Sequence, residues 1–247
     1  MLKPQSSIHY KRILLKLSGE SLMGNKKTGI DPKTIKEISS DIHSTHKLGV
    51  EIAIVIGGGN IFRGIQSSEY RIGRVTSDYM GMLATIINAL ALHEALNMAG
   101  SPSIVMSALA IERVVASYTQ EKALKYLDEG RIVIFAGGTG NPYFTTDTAA
   151  SLRAMETNAQ VILKGTQVDG VYNQNPSKAP DAKLFSQISY EEVLQHKLRV
   201  IDLTGISMAM EQHLPIIVFN IGKKGNIEKI VSGHKVGTLI TGEGNAE

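Results

Sequence analysis

Cysteine and tryptophan are both absent from this chain of 247 residues. Without cysteine there is no disulfide, no thiolate nucleophile and no thiolate-held metal. Without tryptophan, and with aromatics at only 5%, base-stacking nucleic-acid platforms are disfavoured. Charge of one sign is scarce as well: 26 basic and 23 acidic residues leave a net +3. That is too mild to argue for nucleic acid, although it suits a small anionic ligand. The most apolar helical stretch, residues 80–99, contains Thr85, Asn88, His93, Glu94 and Asn97, so it does not read as a membrane span. Residues 1–11 are polar and lack the core of a signal peptide, and a cytoplasmic location is expected. With 43% apolar residues and a mean hydropathy near zero, the chain reads as globular, in one large domain or two lobes.

What is present is an alternation. Apolar, β-rich runs at residues 12–17, 51–56, 103–106, 131–136, 160–164, 216–219 and 237–240 are separated by helical patterns. Most of these runs are continuous rather than alternating, as in strands covered on both faces. The first helix opens at Asp31-Pro32, a cap followed by proline at the first helical position. Ile35, Ile38 and Ile42 form its buried stripe, and Gly49 ends it. Ser189 with Glu192 is a capping box. The pattern predicts an α/β chain with a mainly parallel sheet and helices on both sides. Residues 76–99 are apolar almost all round. Such a helix packs one face on the sheet and the other on a second subunit, or lies wholly inside a monomer. Residues 173–180 read as an exposed loop.

Chemistry concentrates at the ends of the predicted strands. After the run 132–136 comes Gly137-Gly-Thr-Gly-Asn-Pro-Tyr-Phe-Thr-Thr-Asp147, and then a helical pattern over 146–158. A loop at the carboxyl end of a strand is where open α/β sheets bind ligands. Its glycines and threonines offer the N–H and hydroxyl donors that a phosphate or nucleoside needs, though an ordinary turn favours the same residues. Lys16 lies inside the first apolar run, just before Ser18-Gly19. A buried ammonium needs a partner, so Lys16 reads as a phosphate-binding lysine at the sheet rim, the alternative being a lysine that snorkels to water. The second run ends in Gly57-Gly58-Gly59-Asn60, with Arg63 and Gly64 beyond. Such glycines let backbone approach a ligand, and Arg63 can hold phosphate oxygens bidentately. Lys164-Gly165-Thr166 ends another run, followed by Tyr172, which could lie against a purine or simply pack. Among the acids, Asp147 reads as the cap of the next helix with its carboxylate aimed at the site. Asp202, among apolar neighbours, calls for a cationic partner such as a lysine. Asp78 is open between site and surface. No P-loop, no Gly-x-Gly-x-x-Gly helix start and no nucleophile elbow occurs. The histidines lack metal-ligand spacing, and His9, His43, His46, His196 and His234 are expected in solvent.

These elements in order closely resemble the bacterial UMP kinases (uridylate kinases) of the amino acid kinase superfamily. They are Lys16-Leu-Ser-Gly19, Gly57-Gly-Gly-Asn-Ile-Phe-Arg63-Gly, Thr139-Gly-Asn-Pro-Tyr-Phe-Thr-Thr-Asp147 and Lys164-Gly-Thr-Gln-Val-Asp-Gly-Val-Tyr172, with Asp78-Tyr-Met-Gly-Met-Leu-Ala84. The likeness runs from about residue 12 to 240. It implies a three-layer αβα sandwich forming a single domain over 1–247, with an N-terminal lobe to about 157 for UMP and a C-terminal lobe from about 158 for ATP. Carried over, Lys16, Leu17, Ser18 and Gly19 would contact ATP phosphates, and Gly59, Arg63, Thr166, Tyr172 and Asn175 would also bind ATP. Many relatives have aspartate where this chain has Asn175. Gly58, Asp78, Thr139, Gly140, Asn141, Pro142, Tyr143, Phe144, Thr145 and Thr146 would bind UMP, with Asp78 suited to the ribose hydroxyls. Asp147 and Asp202 would orient the lysines Lys16 and Lys164. Gly24, Asn25, Lys26, Lys27, Thr28 and Gly29 match the segment tied in the family to activation by GTP; UTP would inhibit. A homohexamer, a trimer of dimers, is implied.

The resemblance and the residues together describe in-line transfer of the ATP γ-phosphoryl group to UMP. The acceptor phosphate has a second pKa near ~6 and needs no general base at pH 7. Positioning and charge cancellation would come from Lys16, Arg63, Lys164, loop N–H groups and Mg²⁺ held mainly by the ATP phosphates rather than by protein ligands. Two rival readings are a relative that phosphorylates a carboxylate or carbamate, and a nucleotide-binding regulatory or storage protein without catalysis.

Overall fold

The most continuous apolar runs lie at the middle of one sheet, as strands buried on both faces must. A computed structural model describes residues 8–63, 71–198 and 200–244; Gly64 and the polar start at residues 1–7 lie outside them. The strands are β1 (Arg12–Leu17), β2 (Glu51–Ile56), β3 (Ser103–Ser107), β4 (Ala116–Ser117), β5 (Ile132–Ala136), β6 (Val161–Thr166), β7 (Gln187–Ser189), β8 (Ile216–Asn220) and β9 (Thr238–Thr241). Among the described residues they form a nine-stranded sheet in the order β4-β3-β5-β2-β1-β6-β8-β9-β7. Every neighbouring pair is parallel except β8 with β9. The short β4 and β7 were not expected from the sequence, because two or three residues make no apolar run.

A 3₁₀ turn, Gly19–Leu22, follows β1. The helices are α1 (Pro32–His46), α2 (Arg74–Ala99), α3 (Gln120–Asp128), α4 (Thr146–Glu156), α5 (Tyr190–Gln195), α6 (Leu203–Glu211) and α7 (Asn226–Val231). Alternation along the strands sorts side chains between two cores. Ile13, Leu15 and Ile54 face Ile38 and Ile42 of α1, Ile86 and Leu92 of α2, and Ile230 of α7. Leu14, Val55 and Ile162 face Leu127 of α3, Ala150 and Ala154 of α4, and Ala209 of α6. This is the expected αβα sandwich.

Two consequences position the site. By the same alternation, Lys16 follows Leu14, and Lys164 follows Ile162, onto the α4 face. Beside β1 the chain order reverses, since β2 lies on one side and β6 on the other, and the carboxyl ends of strands at such a switch point are where a ligand is expected to bind.

The 26-residue α2 starts at Arg74, two residues before the sequence pattern did, and ends on Gly100 in the left-handed region at φ 92°. Its inner face carries buried Met82, Ile86, Ala89, Leu92 and Leu96. Val75, Tyr79, Leu83 and Ile87, spaced four apart, stay exposed on the other side. By length and composition α2 could cross a bilayer; here its inner face packs on a sheet, as in a core helix.

Candidate active site

Lys16 and Lys164 sit opposite each other in the β1–β6 register, so two ammonium groups leave the sheet side by side. Only 7% and 8% of these residues is exposed, and a buried charge needs compensation. Asp147 supplies it: one carboxylate oxygen lies 2.6 Å from Lys16 Nζ and the other 2.7 Å from Lys164 Nζ. Burial opposes ionisation of Asp147, but the Lys16 and Lys164 ammonium groups outweigh it and hold its carboxyl below the usual range. Lys164 is pushed down to about 8, by burial first and then by Lys16, against the attraction of Asp147. Two cations share one anion, so the cluster keeps an excess positive charge in buried, low-dielectric surroundings, which favours an incoming phosphate.

Asp147 is not the cap of α4. That role belongs to Thr145, whose hydroxyl accepts the Asp147 N–H at 3.0 Å. Standing in the first turn instead, Asp147 reaches the sheet. Asp202 differs from expectation too. Its hydrogen-bond partners are Thr145 Oγ1, Thr148 N and Oγ1, and Gly205 N rather than a lysine. One carboxylate thus caps α6 and ties it to the start of α4. Its negative charge also favours protonated Lys164, more weakly than that of Asp147.

Around the end of β2 the glycines serve packing more than ligand access. A Cβ on Gly58 would come within 2.7 Å of Gly81 O and 2.8 Å of Ala84 Cβ on α2, and one on Gly57 within 2.9 Å of Gly19 N. Gly59 alone has room, with Glu20 Oε1 the nearest atom at 3.9 Å. Arg63 donates to Gly59 O at 3.1 Å and pairs with Glu20 across the same opening. Ser18 caps the 3₁₀ turn through the Ser21 N–H; Leu17 is core.

The loop 137–145 is folded on itself. Gly140 donates to Gly137 O, and Thr139 Oγ1 accepts the Asn141 N–H. Tyr143 takes a left-handed φ of 73°, a conformation that costs a non-glycine residue energy. Its N–H is held by Asp78 Oδ2 at 2.7 Å. Asp78 in turn receives Arg74 Nε at 2.8 and 2.9 Å, and the Arg74 guanidinium stands 5.5 Å from the Tyr143 ring centre. So Asp78 joins α2 to the loop, and Tyr143 and Phe144 remain exposed beside it.

The remaining expected residues make their contacts outside the lysine cluster. Thr166 Oγ1 bonds to Val168 O and Phe219 O, Tyr172 bridges to Leu184, and Asn175 Oδ1 accepts the Ser177 N–H in an exposed turn. Among the described residues no hydrogen bond or ion pair joins Thr166, Tyr172 or Asn175 to Lys16, Asp147 or Lys164. Gly24 and Asn25 line a cavity of about 830 Å³ with Lys33, Lys36, Asp41 and Lys224, while Lys26 Nζ donates to Ile30 O. His43 and His46 are half-buried, both bonded to Ser101 Oγ, which corrects the expectation of free surface histidines; burial first lowers the His46 pKa.

Sequence reasoning passed over Arg74, Glu20, Thr85 and Asn88. Arg74 was findable, four residues before Asp78 on one helix. Thr85, whose hydroxyl accepts the Gly137 N–H at 2.8 Å, was counted only as a polar interruption.

A sheet with this order, paired lysines at adjacent strand ends and glycine loops above them describes a phosphate-handling α/β enzyme. The family model for the amino acid kinase family matches residues 11–220, and the chain belongs to that family. Among solved structures it is similar to the UMP kinase of Bacillus anthracis, with 39% identity and a TM-score of 0.92 over 95% of this chain and 97% of that one. It is also similar to the UMP kinase of Ureaplasma parvum, with 37% identity and a TM-score of 0.88 over 94% and 98%. The uridylate kinase of Archaeoglobus fulgidus matches at 26% identity and TM-score 0.74 over 93% and 99%.

Proposed function

We propose that this protein is a UMP kinase, transferring the γ-phosphoryl group of ATP reversibly to UMP to give ADP and UDP, in pyrimidine nucleotide biosynthesis. The observation that carries the reading is the Lys16–Asp147–Lys164 cluster at the switch point, with Asp147 closing a loop whose sequence resembles the acceptor loop of the UMP kinases. Acceptor and donor are both polyanions, so catalysis consists chiefly of alignment and charge cancellation. Lys16 and Lys164 face the transferring group, held in place by Asp147. Arg63, Gly58 and Gly59 bind phosphates at the end of β2, with Lys16, Leu17, Ser18 and Gly19 beside them. Asp78 and residues 139–146 take the nucleoside of UMP, and Thr166, Tyr172 and Asn175 take the adenosine end of ATP. No side chain acts as a base, since the UMP phosphate is already a nucleophilic dianion above its second pKa of about 6.

Mg²⁺, held mainly by ATP rather than by protein ligands, would supply neutralisation of the phosphate charge. The donor set fits a metal held mainly by the nucleotide, because the carboxylate nearest the lysines, Asp147, is already engaged by both. In the same reading, residues up to about 157 form a UMP lobe and those from about 158 an ATP lobe, in the cytoplasm. GTP activates through residues 24–29 and UTP inhibits. The exposed stripe Val75, Tyr79, Leu83 and Ile87 on α2 supports self-association, in a homohexamer built as a trimer of dimers. Leu83→Asp then lowers the solution mass measured by light scattering, and an unchanged mass removes α2 from the interface.

The test is ADP formation from MgATP with UMP, CMP, dUMP, acetylglutamate or carbamate, with and without GTP. Turnover confined to UMP supports the proposal. Turnover with an acyl acceptor keeps the fold and overturns the substrate, and tight UMP binding without turnover favours a binding protein.

A further inference from the structure

Beneath the glycine loop lies a pair of side-chain amides that no substrate role requires. Asn60 is 2% exposed and Asn88, in the middle of α2, is fully buried. The two amides face each other: Asn60 Nδ2 donates to Asn88 Oδ1 at 3.0 Å, and Asn88 Nδ2 donates to Asn60 Oδ1 at 2.6 Å. Each primary amide has two N–H donors, and the second one points outward. Asn88 Nδ2 also donates to Gly57 O at 2.7 Å, and Asn60 Nδ2 to Gly29 O at 2.9 Å. Gly29 N returns a bond to Asn60 O at 2.8 Å. Gly19 closes over the pair, since a Cβ there would overlap Asn60 Oδ1.

We propose that Asn60 and Asn88 are positioning residues. The amide pair sets the exits of β1 and β2 against α2 and fastens the 24–29 segment to the phosphate-binding loop. The inference rests on the kinase reading for its consequence, though not for its geometry. The separations decide the matter. The pair gathers Gly19, Gly29 and Gly57 around one point on a rigid helix, and that helix also carries Asp78 for the acceptor. A buried network with every donor used is rigid, whereas one with a missing member leaves unpaired polar groups that the backbone must move to satisfy. Gly59 directly precedes Asn60 and Arg63 lies three residues beyond it, so a small shift there moves the groups proposed to hold phosphate. Misplacement by about 1 Å costs on the order of 100-fold in rate.

Asn88→Asp keeps the shape and still accepts from Asn60, but replaces the two N–H donors to Gly57 O and Asn60 Oδ1 with none as a carboxylate, or a single O–H as a neutral acid. Asn60→Ser removes the side-chain bonds to Gly29 O and to Asn88, leaving only the backbone bond from Gly29 N, and is the second variant should the first not fold. Two readouts are taken on the full-length protein. The first is amide hydrogen exchange, which needs no activity. Peptides covering 17–22, 24–30 and 57–63 are expected to exchange at least about tenfold faster than in the parent protein, while peptides from β5 and β8 are unchanged. The second is turnover per binding site. Calorimetric titration with UMP is expected to return one site per chain, with kcat for ATP and UMP reduced at least about 30-fold. Exchange that is unchanged, or that rises across the whole chain, overturns the proposal. So does a loss of activity matched by an equal loss of UMP sites, which would mark the pair as generally structural. If the parent protein itself does not turn over UMP, the kinase reading fails, and the exchange pattern alone decides the positioning role.

Discussion

The centre and the rim of this site are built in opposite ways. At the centre, Lys16 and Lys164 come from adjacent buried strands and meet Asp147 on the first turn of a helix packed against those strands. At the rim, Asp78 is held by Arg74 and by the Tyr143 N–H, and Arg63 by Glu20, with Arg74, Arg63 and Glu20 about half exposed to water. Exposed ion pairs contribute about 0–1 kcal/mol, whereas breaking a buried pair costs about 3–5 kcal/mol. The contrast fits the proposed division of labour. In that proposal the charges assigned to the transferring group are fixed before substrate arrives, whereas groups assigned to holding the two substrates sit on surfaces that substrate can rearrange.

The contrast breaks most visibly at Asp147. Asp147→Asn leaves two buried ammonium groups without an anion between them. Turnover is expected to fall at least about 100-fold, and unfolding by denaturant to show a loss of about 3 kcal/mol. A variant that keeps near-parental kcat and stability would dissolve the distinction between centre and rim. Arg63→Ala should also lower turnover by about 100-fold, because it removes a phosphate-holding cation. Glu20→Gln beside it, which loses only an exposed partner, should stay within about fivefold in steady-state assays.

The acidity of Lys164 sharpens the same point. With its pKa pushed down to about 8, the free protein loses this cation as pH rises above 8, and kcat/KM for MgATP is expected to fall about tenfold per pH unit there. The sign for stability is opposite. Between about 8 and 10.4 the unfolded chain binds the proton that the folded chain has released, so this group's contribution to stability rises with pH in that window. A pH profile of kcat/KM, run beside denaturant titrations at the same pH values, checks both signs. A comparably small effect belongs to Arg74→Ala. It should raise KM for UMP about fivefold and leave kcat nearly unchanged, and initial-rate measurements with varied UMP distinguish this from a loss of turnover.

Much of the centre was legible in the sequence because its chemistry sits at strand ends. A lysine in an apolar run, a glycine loop and an acid after a βα turn each carry a local signal. The strand parity that turns Lys16 and Lys164 toward the same helix could also be counted from the chain. What could not be read were contacts across large separations. The Asp202 carboxylate chose Thr145 and Thr148, 57 and 54 residues away, over a lysine, and nothing local marks that choice. The Thr85–Gly137 bond and the Asn60–Asn88 pair span 52 and 28 residues. Polar residues on an apolar helix looked like interruptions because their partners were loops from other parts of the fold. The glycines of residues 57–59 were read as ligand access, yet two of the three are demanded by the close passage of α2 and of Gly19.

The most direct test of the account is to compare Asp147→Asn with Asp78→Asn in the same assay, separating kcat from KM for UMP. The account predicts that Asp147→Asn lowers kcat by about 100-fold or more with KM little changed, and that Asp78→Asn chiefly raises KM. If Asp78→Asn abolishes turnover at saturating UMP while Asp147→Asn alters only KM, the acceptor rim and the transfer centre have been assigned the wrong way round.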